Sequence, residues 1–114
     1  MKTIFIRPVQ DKDINFFLSS RNLFINRKFS INKKVINKLD HYNWWFNNNN
    51  RKSHIVEKGK EKLMILTEET YKLGKLTIIN TGLISCKEKI DLMDLLKAVK
   101  WQNQNILRHK NVVS

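Results

Sequence analysis

At 114 residues and 41% hydrophobic content, the chain has the size and composition of one domain with its own core, not of a disordered or disulfide-stapled peptide. The single cysteine, Cys86, excludes an intrachain disulfide and fits a reducing, cytoplasmic setting; residues 3–6 are too short an apolar run for a signal peptide, and no run approaches a membrane span. The net charge of +12 admits a nucleic-acid partner, but Lys, Asn and Ile supply 44 of the 114 residues, a bias that AT-rich codons produce unaided, and no run of basic residues exceeds two.

Residues 3–7 read as a first strand, with Ile4 and Ile6 on one face and Pro8 ending the run. Asp11 or Asp13 caps a helix running to about Asn22, whose Ile14, Phe17 and Leu18 fall at core spacing with Arg21. Ser30 is the expected cap of a second helix. Its stripe Ile31, Val35, Leu39, Tyr42 and Phe46 is expected to pack inward, and the Asn run at 47–50 ends it. Trp44 and Trp45 lie off that stripe, half-buried or lining a pocket.

The rhythm then changes. Residues 53–57 (SHIVE), 63–67 (LMILT) and 76–79 (LTII) are short and β-rich, with Gly59 and Gly74 in the connections, so two hairpins and three antiparallel strands are expected. The third strand is expected to run on through residue 85, with Gly82 as a bulge or a point of close backbone approach. Asp91 is the cap of the last helix, with Asp94 in its first turn and Ile90 and Leu95 as a hydrophobic staple. Its expected buried stripe is Leu92, Leu95, Leu96, Val99 and Ile106, and Arg108, His109 and Lys110 suit its negative end. Residues 111–114 read as the start of a further strand.

Residues 21–46 hold an Arg-Asn pair (Arg21, Asn22), Arg27, Ser30 and then His41-Tyr-Asn-Trp-Trp-Phe46. With the order strand, two helices, three-strand meander and long helix, this segment resembles the front of the GNAT superfamily of acetyl-CoA-dependent N-acetyltransferases. The likeness is to the branch that acetylates amino-sugar nucleotides and protein N-terminal amines. The resemblance implies a single α/β GNAT-like domain over residues 1–114, either a fragment or a shortened relative lacking the family's C-terminal strands. It also implies acetyl-CoA as the acyl donor and a small-molecule primary amine as the acceptor, with no membrane. Carried over, the pantetheine and phosphate contacts fall on Ile79, Thr81, Gly82, Leu83, Ser85, Lys87 and Lys89. The substrate contacts fall on Arg21, Asn22, His41, Trp44 and Trp45. The phosphate loop departs from the family pattern: no glycine follows Gly82, and Glu88 and Asp91 add negative charge.

His41 is a candidate to deprotonate a substrate ammonium, the alternative being a packing histidine. Glu68, with Glu69, is a candidate general base or else part of a solvated turn. Trp44 and Trp45 stack on a sugar or base, or pack. His54 and His109 lack metal-ligand spacing, so no metal is expected, and Cys86 has no histidine dyad. Two other classes stay open: a non-catalytic GNAT-like interaction module, forming a homodimer through an exposed sheet edge, and a basic nucleic-acid-binding module.

Overall fold

The computed structural model describes residues 3–28, 34–47 and 50–108, and the backbone of residues 112–113. One sheet carries the strands in the order β1-β2-β3-β4-β5. They are β1 (Ile4–Pro8), β2 (Arg51–Lys58), β3 (Glu61–Leu73), β4 (Leu76–Ser85) and the two-residue β5 (Val112–Val113). The first four are antiparallel, whereas β5 joins β4 in parallel at Thr77 and Ile78. The meander forms where its turn signals stand: Gly59 and Gly74 adopt φ of 65° and 62°, which only glycine enters without cost. Gly82 is not a bulge. It stands opposite Thr67 in unbroken register, and a Cβ there would meet Thr67 Oγ1 at 2.7 Å, so close approach explains it.

A 3-10 turn (Asp11–Asp13) leads into α1 (Ile14–Arg21), followed by a short α2 (Phe24–Lys28), α3 (Lys38–Asn47) and α4 (Leu92–Leu107). Arg7 anchors the turn to the sheet, donating to Asp13 at 2.9 and 3.0 Å and to Glu57 at 2.8 Å. The α2 turn is an addition to the two helices expected before the meander.

The expected inward stripe of the second helix is corrected. The proposed Ser30 cap and Ile31 lie outside the described residues. The helix that is present starts at Lys38, with Asn37 as its cap: Asn37 Oδ1 accepts the Asp40 amide at 2.8 Å. Val35, Leu39 and Phe46 are exposed, and His41 and Trp45 are buried instead. Aromatic area wins this face: Trp45 packs edge-on to Phe17, with centroids 5.3 Å apart.

The stripe expected of α4 is corrected too. Asp91 is the cap, its Oδ1 accepting the Met93 amide at 2.8 Å, and Ile90 and Leu95 both pack on the core. But Leu92, Leu96 and Val99 face out, while Asp94, Ala98, Gln102 and Ile106 are buried. The polar members are admitted because they are bonded. Lys58 Nζ reaches Asp94 at 3.2 Å, and Gln102 Nε2 donates to the Thr67 carbonyl at 3.1 Å.

Two clusters fill the two faces of the sheet. Ala98 of α4 packs with Val56, Leu63, Met64 and Leu66; Phe17 of α1 and Trp45 of α3 pack with Ile55 and Ile65. Among the described residues no helix is long and apolar enough to cross a membrane, and no three His, Cys, Asp or Glu side chains gather as metal ligands.

Candidate functional site

Arg21 ends α1 and lies over the ring of Trp44, its guanidinium carbon 4.6 Å from the centroid. Its Nη1 donates to His41 Nδ1 at 3.0 Å, and His41 Nε2 donates to the Ile14 carbonyl at 2.8 Å. These bonds assign the Nε2–H tautomer. Burial pushes the His41 pKa down; the Ile14 carbonyl opposes this, and the charges of Arg21 and Arg51 reinforce it. His41 is thus neutral, fully buried, and occupied at both ring nitrogens. Its chemistry here is to hold Arg21.

Arg51, opening β2, lies 4.9 Å from the Trp44 centroid and 4.4 Å from that of Trp45. Burial lowers the pKa of both arginines, and Glu69 opposes this in each. Among the described residues no carboxylate oxygen lies within 4.0 Å of either guanidinium. Glu69 shares this face of the sheet and accepts the Tyr71 hydroxyl. Glu68, one residue before it, points to the opposite face. There it is buried near His54, with Oε1 unpartnered among the described residues. The solvated turn expected for Glu68 is therefore corrected, because β3 runs through it.

Two asparagines build a cavity beside Arg21. Asn22 clamps the backbone of Ile36: Nδ2 donates to its carbonyl at 2.9 Å and Oδ1 accepts its amide at 2.7 Å. Asn26, in α2, clamps Ser85 in the same way, at 2.7 and 2.9 Å. Between these clamps lies a cavity of about 190 Å³ lined by Arg21, Asn26, Arg27, Lys34, Ile36, Leu83 and Ile84. Asn26 and Arg27 carried no signal in periodicity; only their partners, 59 and 5 residues away, reveal their positions.

Among the described residues no strand pairs with the outer edge of β4 beside this cavity. β5 pairs only with Thr77 and Ile78. The Cys86 amide donates to Leu63 of β3, while the amide and carbonyl of Ser85 point the other way, to Asn26. By strand alternation, the backbone groups of Thr81 and Leu83 also face outward, where no described strand pairs with them. Ile79 is buried, and Gly82 faces Thr67. Past the strand, Lys87 Nζ pairs with Glu61 at 2.9 Å, Lys89 is exposed, and the carboxylate of Asp91 already holds one amide of the helix start.

The structure therefore brings Arg21, Asn22, His41, Trp44 and Trp45 together, with Arg51 and Glu69 added. Leu83 and Ile84 line the cavity beside Arg21, whereas Gly82 faces Thr67. The structure leaves Glu68 on the other face, and Lys87 and Lys89 in the loop that follows the Ser85 end of β4.

No protein-family model matches this chain, and no curated protein matches it in sequence. Among solved structures, a domain from Methanocaldococcus jannaschii DSM 2661 superposes with a TM-score of 0.68 at 20% identity, covering 92% of this chain and 73% of that one. A possible acetyltransferase from Clostridium difficile 630 superposes with a TM-score of 0.73 at 10% identity, covering 96% and 75%. The chain shares its α/β fold with these structures. Identities this low establish architecture and leave activity to the site itself.

Proposed function

We propose that the chain is a GNAT-type N-acyltransferase that moves an acetyl group from acetyl-CoA to a small-molecule primary amine. The observation that carries this reading is the outer edge of β4 at Thr81 and Leu83, with which no described strand pairs, set beside a cationic cavity that Leu83 lines. The similarity in fold to a possible acetyltransferase supports it.

The residues fit a pantetheine arm better than they fit its phosphates. Outward amides and carbonyls of Thr81 and Leu83 can pair with the arm's amides as a neighbouring strand would. The 86–91 loop offers the charge of Lys87 and Lys89 but no glycine-spaced amides, and Asp91 occupies one amide at the helix start. Bound coenzyme supplies an activated thioester carbonyl. The outward amides orient it and stabilise negative charge that develops on its oxygen. The cavity holds the amine in attacking position. The amine nitrogen bonds to the carbonyl carbon, the C–S bond breaks, and the sulfur departs as thiolate. The proton lost by nitrogen passes to Glu69 or to water, and the thiolate is protonated in turn.

Calorimetric titration of the chain with acetyl-CoA tests this. Weak, micromolar binding that fades with added salt is expected, and Lys87→Ala with Lys89→Ala should remove most of it. No binding at low salt would sink the catalytic reading. A second reading, a GNAT-like interaction module without catalysis, draws on the Asp91 carboxylate standing where phosphate would go. Under that reading the double variant changes nothing about coenzyme.

A further inference from the structure

The cavity beside Arg21 selects for charge. Arg21, Arg27 and Lys34 reach it, and no Asp or Glu is among its described lining residues. Arg21 is the residue built for the task. His41 fixes one side of its guanidinium at 3.0 Å, Trp44 supports it at 4.6 Å, and no described carboxylate lies within 4.0 Å. A desolvated guanidinium with no acid beside it is costly unless an anion completes it. A fork held rigid in advance loses little entropy when it binds a planar or tetrahedral oxyanion. Burial also disfavours the arginine's charge, which an incoming anion would stabilise.

We propose that this cavity binds the anionic group, a phosphate or a carboxylate, of the acceptor amine, with Arg21 as the central contact and Arg27 and Lys34 beside it. The word acceptor rests on the acyltransferase reading; the anion site does not. Size narrows the class further. Drug-sized ligands occupy roughly 300–1,000 Å³, whereas this cavity holds about 190 Å³. That suits one charged group on a short tail, not a whole nucleotide. Leu83 and Ile84 give the apolar wall, so the tail lies toward the β4 edge, where the amine meets the thioester.

The test titrates the full chain with ethanolamine, O-phosphoethanolamine, β-alanine, inorganic phosphate, coenzyme A and dephospho-coenzyme A. Charge-assisted contact should make O-phosphoethanolamine bind at least about tenfold tighter than ethanolamine, with inorganic phosphate competing against it. Arg21→Gln should abolish that preference. Because Arg21 also holds His41, Lys34→Ala, at an exposed position, is the second variant; it should weaken O-phosphoethanolamine severalfold, with affinity counted per folded molecule. Equal binding of the charged and neutral amines, or an unchanged preference in both variants, overturns the proposal. So does phosphate competing with coenzyme A instead, with dephospho-coenzyme A bound more weakly, since the cavity would then serve the donor. If coenzyme A fails to bind but O-phosphoethanolamine binds through Arg21, the acyltransferase reading falls and the anion site stands.

Discussion

The two faces of the sheet solve the problem of buried polarity in opposite ways. Under α4 the core is mainly aliphatic and buries two carboxylates: Asp94, paired with Lys58 at 3.2 Å, and Glu68, near His54 with Oε1 unpartnered among the described residues. Under α1 and α3, Phe17, Trp44 and Trp45 surround a neutral histidine and carry two arginines with no described carboxylate within 4.0 Å. Ring faces partly offset a buried cation but leave its hydrogen-bond donors available. The α4 face thus buries carboxylates. The other face keeps cationic groups poised beside the outer edge of β4.

The largest effect expected is at Phe17, which is fully buried and touches His41, Trp44 and Trp45. Phe17→Ala should cost about 3–5 kcal/mol in urea denaturation, in the range for aromatic truncation. It should also disturb Arg21 and with it anion binding, whereas Met64→Ala, beneath α4, should cost about 2–5 kcal/mol and leave anion affinity per folded molecule unchanged. Equal losses of affinity in both variants would erase the functional contrast between the faces.

Gly82→Ala comes next. The new Cβ would meet Thr67 Oγ1 at 2.7 Å, on the α1 side of the sheet. Overpacking of this kind costs about 1–3 kcal/mol, and adding Thr67→Ala should recover most of it. Failure of the second change to rescue the first would mean that the constraint at Gly82 lies in the backbone.

A gentler effect comes from pH. His41 and His54 both sit below the usual histidine value of 6.5, chiefly because burial disfavours the charged ring. The unfolded chain therefore binds more protons than the folded chain just below that value. Their contribution to stability is complete above about pH 6.5 and declines as pH falls toward the folded-state values. The urea midpoint should drop between pH 7.5 and pH 5 (about two and a half units), and less steeply in His41→Gln. A flat profile would mean that neither ring is desolvated.

The meander and the Asp91 cap were legible in the sequence because their signals are local: glycine at positive φ, and a carboxylate two residues before the amide it holds. The inward faces of α3 and α4 were not. Periodicity ranks residues by hydrophobicity, so it favoured Leu39 and Phe46 over His41, and Leu92 and Leu96 over Asp94 and Gln102. What admits the polar set are partners far away in sequence: Arg21 for His41, Lys58 for Asp94, the Thr67 carbonyl for Gln102. The same holds for the site. Arg21, His41 and the tryptophans stood out as residue types, but the Asn26 clamp on Ser85 spans 59 positions and leaves no local trace.

The smallest effect expected is at Leu96, and it bears on the α4 face directly. Leu96 is 53% exposed, and Leu92 and Val99 flank it on the same outer side. If that side is solvated, Leu96→Lys removes an apolar group from water and should shift stability by no more than about 0.5 kcal/mol, as surface changes do. Ala98→Leu, two residues on and fully buried, should instead cost about 1–3 kcal/mol by overpacking against Val56, Met64 and Leu66. The pair orients the helix. A large loss at Leu96 with little at Ala98 would mean that α4 is rotated from its assigned face. A large loss at both, with a urea midpoint that rises with protein concentration, would mean that another copy covers the outer stripe.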